Sequence, residues 1–247
     1  MVIDALLSSI REGRVLDVLV GAYKTAVVVE LDGIRRCGLA STPRTDDHHY
    51  RGGPAVREAG LLRERPAREL AELVRSASPM EAAIGIAAIN ALLPAQEERW
   101  LDLNGEAVIA EHGAGRRVVL VGHFPFVPRL RARARALWVL EERPREDDLP
   151  LGAAAEVIPQ ADVLALSGMT LIDHTFESLV ALRRPEALVV VLGPSTPLSP
   201  VLFDHGADVI SGTVVTEIEP VLRAIGEGAN FQQIRRLGVR LVTMRRT

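Results

Sequence analysis

Val118-Val119-Leu120-Val121-Gly122-His123-Phe124-Pro125-Phe126 decides the fold. Four apolar residues without alternation read as a strand buried on both faces, as in a parallel sheet, and the glycine after them turns the chain out at the strand's carboxyl end. The same order recurs at 137–140 before Glu141, 163–166 before Gly168, 188–192 before Gly193 and 209–210 before Gly212. Segments 176–184 and 217–225 carry helical spacing between these runs. Strand, turn and helix in repetition predict βα units and an open, Rossmann-like parallel α/β domain.

Upstream the period changes. Ile3, Leu6, Leu7 and Ile10 fall at i, i+3, i+4, i+7 and predict an amphipathic first helix. Segments 15–21, 25–31 and 34–40 are β-branched or alternating, and Asp32-Gly33 between the last two is a strong hairpin signal. Two helices are expected at 66–76 and 79–93, the second opened by a capping box of Ser78 and Glu81 with Pro79 at its first position. Its face of Ile84, Ala87, Ala88 and Ala91 is small enough for close approach of a neighbour. A charged connection at 94–104 marks the boundary, giving a small N-terminal α+β domain at 1–100 and the Rossmann-like domain at 101–247. Residues 42–60 form a long polar loop holding Asp46, Asp47, His48 and His49. Adjacent side chains of an extended segment point to opposite sides, so these read as a solvated loop or lid rather than a chelating pair. Whether His48 and His49 take part in such a lid stays open.

Composition narrows the function. With 48% hydrophobic and 25% charged residues the 247-residue chain is globular. Its longest apolar runs fall short of a bilayer span, and charges at Asp4, Arg11 and Glu12 do not suit a signal peptide, so a cytoplasmic location is expected. A net charge of −3 with dispersed basic residues argues against nucleic acid as partner, and no membrane partner is expected. One cysteine, Cys37, rules out an intramolecular disulfide or a cysteine cage, and a buried inert thiol is its better reading. Lys24 is the one lysine. A homodimer is the default expectation, because closed two-fold oligomers are common.

Ligands of open α/β sheets bind beyond the carboxyl ends of the strands. That places Gly122, His123 and Phe124, then Glu141, then Thr170 with Asp173 and His174, and then Gly193, Ser195 and Thr196 on one edge. Glu141 stands where dinucleotide folds hold a ribose hydroxyl, but the first turn lacks GxGxxG, and His123 and Phe124 would obstruct a pyrophosphate. A solvated strand end is the simpler reading of Glu141. The loop Gly193-Pro194-Ser195-Thr196-Pro197, with a helix start expected near Leu198, offers hydroxyls and free N–H groups to an anion, or is a capped turn without a ligand. His123, Asp173 and His174 supply imidazole and carboxylate donors for a divalent transition metal; hydrogen-bonded structural histidines are the alternative.

Several stretches resemble the heavy-metal chelation family of bacteria and archaea. They are Gly38-Leu39-Ala40, Ile84-Gly85-Ile86-Ala87-Ala88-Ile89-Asn90-Ala91, Gly122 to Phe126, Pro159-Gln160-Ala161-Asp162-Val163 and, most specifically, Val191-Leu192-Gly193-Pro194-Ser195-Thr196-Pro197-Leu198-Ser199-Pro200. The resemblance implies an N-terminal domain similar to the enolase N-terminal fold, a Rossmann-like C-terminal domain and a site between them. It also puts Asn90 on a helix face at the domain contact, and an amide buried there beside Ala87 and Ala91 needs partners, so a hydrogen bond to a ligand-edge loop or to the ligand is expected. Where the family typically shows Asn-Gly-Thr, this chain has Asp173-His174-Thr175, which replaces an amide by a carboxylate and an imidazole.

Two functional readings follow. One is a protein that binds a metal or small metal complex in an interdomain cleft, with His123, Asp173, His174 and Glu141 as polar contacts and Ni, Co or Zn as suited ions. The other is an enzyme holding a nucleotide-like or other anionic cofactor at the Ser195-Thr196 loop, with His123 or His174 as general base. The sequence alone does not decide whether a reaction is catalysed.

Overall fold

Asp32 and Gly33 both adopt left-handed backbone, φ 53° and 76°. That is what a two-residue hairpin turn requires. The turn joins the second and third strands of an antiparallel sheet in the order β1-β2-β3, with Leu31 opposite Ile34. The computed structural model describes residues 1–43 and 54–246, and the polar group Asp46, Asp47, His48 and His49 lies outside them. In chain order the elements are α1 (Val2–Ser9), β1 (Arg14–Val20), β2 (Lys24–Leu31), β3 (Ile34–Ser41), α2 (Ala67–Glu72), α3 (Pro79–Leu92), α4 (Gly105–His112), β4 (Arg117–Val121), α5 (Val127–Arg131), β5 (Ala136–Glu141), β6 (Leu149–Pro150), α6 (Ala154–Val157), β7 (Val163–Ser167), α7 (Met169–Ile172), α8 (Phe176–Ala181), β8 (Leu188–Leu192), α9 (Val201–Asp204), β9 (Val209–Val215), α10 (Ile218–Gly226), α11 (Phe231–Arg235) and β10 (Val239–Arg245). The chain is thus mixed α/β, with a small antiparallel sheet and a large, mostly parallel one.

Contacts divide the chain into two compact units. The first holds residues 1–96, 171–173 and 213–240, and the second 97–170, 174–212 and 241–247. In the first unit α3 is buried nearly all round, the signature of a helix enclosed on every side. Its approach to β3 is set by Gly38, where an added Cβ would lie 2.0 Å from Ala87 O and 2.4 Å from Ala91 N. A second apolar cluster of this unit gathers Ala26, Leu39, Val221, Ile225 and Ile234. Ser78 is the N-cap of α3, but the expected capping box does not form. Instead Glu81 accepts from the Arg57 guanidinium at 2.9 Å and from Ser76 Oγ. A charge-assisted bond outcompetes a neutral backbone donor, and Arg57 holds the Glu81 carboxyl down at about 2. The expected helix at 66–76 is α2 followed by a 3-10 turn over Leu73–Arg75. Cys37 is half-buried on β3, and burial pushes its thiol up to about 12.

The second unit is built on the large sheet, whose strand order is β10-β9-β8-β7-β4-β5-β6. Strands β4 through β9 run parallel. Thr216 N–H on Gly238 O, Thr243 Oγ1 on Ser211 Oγ and Arg246 N–H on Asp208 O run in opposite chain order, so β10 lies antiparallel to β9. Val118, Leu120, Val139, Val163, Ala165 and Val190 meet Val108, Ile109, Phe126, Val127 and Leu130 in the core on one face. The chain lays down β4, β5 and β6 outward in one direction, then returns to the other side of β4 for β7 and continues through β8 and β9. The order therefore reverses between β4 and β7, and in open α/β sheets this switch point is where ligands bind.

Candidate functional site at the carboxyl edge of the parallel sheet

Strand β4 ends in Gly122, whose φ of 100° is open to glycine and strained for other residues. The turn it makes is pinned from β5: the His123 N–H donates to Glu141 Oε1 at 2.6 Å. Glu141 thus holds the His123 backbone, a different task from the ribose contact considered above. The imidazole is fixed by Asp148, whose carboxylate oxygens lie 2.9 and 3.2 Å from Nδ1. Asp148 is itself oriented by the Arg145 N–H at 3.2 Å. Its side chain is 1% exposed and that of His123 17%, so the pair is largely withdrawn from water. An ionised carboxylate accepts only, so against it Nδ1 is the donor, and in the neutral ring that tautomer leaves Nε2 with its lone pair.

Phe124 follows on the same turn. Its ring stacks on Phe126 with centroids 5.2 Å apart and planes 22° from parallel. Positions built for a Cβ on Gly122 and on Gly193 lie 3.4 Å from Phe124 Cε2 and 4.0 Å from Cε1. Gly193, at the end of β8, also has a left-handed backbone, φ 111°. Because β7 lies between β4 and β8, the half-buried ring spans the carboxyl end of β7, over the switch point.

The other residues expected at this edge have different places. Thr170 is buried and its hydroxyl donates to Ser167 O at 2.8 Å, a local turn bond. Ser195 and Thr196 are 1% and 2% exposed, packed against Gly168, so their hydroxyls face the interior; the helix expected near Leu198 begins at Val201. Thr196 Oγ1 has no hydrogen-bond partner among the described residues. Asp173 and His174 are exposed, the latter with φ 60°. Among the described residues no three His, Cys, Asp or Glu side chains come together to hold a metal, so His123, Asp173 and His174 are not gathered in this structure. Asn90 belongs to the first unit, where its Nδ2 donates to Leu39 O at 2.8 Å and ties α3 to β3.

Asp148 is the residue of this candidate site that the sequence reading did not single out. The available signal was the acidic pair Asp147-Asp148 closing the charged run 141–148, and only the two-residue strand β6 beside β5 brings it to His123. No helix among the described residues is long and apolar enough to cross a membrane.

Two family models, both described as "Putative heavy-metal chelation", match the sequence: DUF4213 over residues 3–93 and DUF364 over residues 107–244. An uncharacterized protein of Methanocaldococcus jannaschii is 25% identical over 218 residues, 85% of this chain and 82% of that one. The crystal structure of a DUF364-family protein of unknown function from Desulfitobacterium hafniense superposes with a TM-score of 0.83 at 27% identity, covering 99% of this chain and 98% of that one. A second DUF364-family structure, from Pyrococcus horikoshii, gives the same TM-score and coverage at 19% identity and shows the shared fold.

Proposed function

The chain belongs to the DUF364 heavy-metal chelation family, and from that premise we infer that its parallel-sheet unit binds a transition-metal ion or a complex of one, with His123 Nε2 as the protein's donor. The observation that carries this reading is the bond from His123 Nδ1 to the buried Asp148 carboxylate. Metal-ligating histidines donate their second ring nitrogen to a carboxylate in this way, which fixes the tautomer, holds the ring still and raises the basicity of the free nitrogen. The donor chemistry fits: imidazole suits Zn, Ni, Co and Cu, and it must bind without a proton on the ligating nitrogen. Glu141 contributes by holding the backbone of His123, so that ring and main chain are positioned by two different carboxylates.

Calorimetric titration of metal-stripped protein with Ni²⁺, Co²⁺ and Zn²⁺ tests the reading. Saturable binding is expected, lost with His123→Ala and weakened on the order of tenfold or more with Asp148→Asn, the range found when such outer partners are removed. Affinity unchanged in both variants would exclude this site.

A further inference from the structure

His123 and Phe124 are consecutive, yet the turn gives them different offerings. One is an imidazole nitrogen whose ring is fixed from behind by Asp148. The other is an aromatic ring backed on one side by Phe126 and flanked at its edges by Gly122 and Gly193, two residues with no side chain to raise a wall beside it. Both stand at the point where the strand order reverses, where an α/β sheet opens at its carboxyl edge. A bare ion would use the imidazole alone; the Phe124 ring, packed on the core and on Phe126 yet only half-buried, would take no part in holding it. A dinucleotide would need the close backbone approach that Phe124 obstructs.

Resting on the metal reading above, we propose that the ligand is a metal ion already held in the plane of a conjugated chelator, which lays its flat face on Phe124 and takes His123 Nε2 at an open axial position. Aromatic faces attract other flat π-systems in offset stacking. A planar chelate leaves the positions above and below the metal open, and an imidazole fills one of them. The pair thus recognises two properties together, flatness through Phe124 and the metal through His123, and discriminates against a flat molecule without metal and a metal without a plane.

Three probes separate these properties: zinc(II) protoporphyrin, metal-free protoporphyrin and zinc chloride. With the native protein, zinc protoporphyrin is expected to show saturable binding with the red shift of its main absorption band that axial imidazole brings, and to bind at least tenfold more tightly than the metal-free ring. His123→Gln is expected to abolish the shift while keeping residual stacking. Phe124→Ala should weaken zinc protoporphyrin about tenfold, roughly one stacking contact, with Phe124→Trp restoring it, and it should leave the affinity for zinc chloride unchanged. Melting curves within a degree or two of native for His123→Gln and Phe124→Trp would show that the fold is intact. Equal binding of the two porphyrins, or a shift that survives His123→Gln, overturns the planar-chelate proposal. If zinc chloride nevertheless binds through His123, the broader metal reading survives; if no zinc species depends on His123, both fall.

Discussion

The two ends of the parallel sheet carry charges of similar kind to opposite effect. At the amino end, Asp162 immediately before β7 accepts from the Arg117 backbone and guanidinium at 2.8 and 3.1 Å and from Arg184 at 2.6 Å, while Asp208 before β9 accepts from the Val189 N–H at 2.9 Å. The Arg117 guanidinium holds the Asp162 carboxyl down at about 2. Each named carboxylate there is spent on strand ends. At the carboxyl end, Asp148 instead binds one nitrogen of a ring that has two, and Glu141 fixes the backbone beneath it. The first arrangement closes a surface; the second leaves a donor, framed by backbone turns at Gly122 and Gly193. Ion pairs alone therefore do not mark a site: what distinguishes the carboxyl end is an imidazole with only one of its two nitrogens engaged.

The comparison is sharpest where the carboxyl edge packs on itself. An added Cβ at Gly168 would lie 2.6 Å from Ser195 C and from Thr196 N, backbone atoms that cannot turn aside. Gly168→Ala is expected to destabilise by about 3 kcal/mol or more, the upper range of overpacking, measured by urea unfolding. A change under about 1 kcal/mol would show that the loop after β8 is loosely held and that Ser195 and Thr196 are free to face a ligand.

At the amino end, Asp162→Asn should cost about 2 kcal/mol, the scale of charge-assisted hydrogen bonds, with metal affinity unchanged. Its pH dependence follows from the lowered carboxyl. Between about 4 and about 2 the unfolded chain binds the proton that folded Asp162 refuses, so this stabilisation is full above the ordinary carboxyl range and is lost as the pH falls through it. Glu81, also held at about 2, adds to the same loss in the first unit. Acid unfolding of native protein and Asp162→Asn should converge near pH 2; a constant gap across this range would contradict the ion-pair account.

Much of the fold was legible because it rests on local patterns. The unbroken apolar runs from Val118, Val163 and Leu188 become β4, β7 and β8, and Asp32-Gly33 turns as its backbone preference demands. The site was legible only in part. His123 and Phe124 announce themselves after a strand, but the Asp148 bond joins positions 25 apart in the chain and depends on a two-residue strand with no pattern of its own. The Ser78–Glu81 box failed for a related reason: the competitor, Arg57, comes from elsewhere in the sequence. Hydroxyls misled most. Ser195 and Thr196 have the composition of an anion loop, and only the folded structure shows them buried.

The smallest expected effect concerns one of those hydroxyls. Thr196 Oγ1 is buried without a hydrogen-bond partner among the described residues. Thr196→Val keeps the shape and removes the unsatisfied group, so stability should stay within about 0.5 kcal/mol of native or rise. A loss above about 1 kcal/mol in thermal unfolding would mean that the hydroxyl is satisfied in solution and that the edge is more polar than its packing indicates.

The central claim is that His123 presents a bare Nε2, and nitrogen NMR of protein carrying ¹⁵N-labelled histidine reads it directly. Two-bond ring correlations should show the His123 proton on Nδ1, where Asp148 accepts it, and the Nε2 resonance should move when zinc is added to saturation. A proton found on Nε2, or an Nε2 resonance indifferent to saturating zinc, would contradict the account.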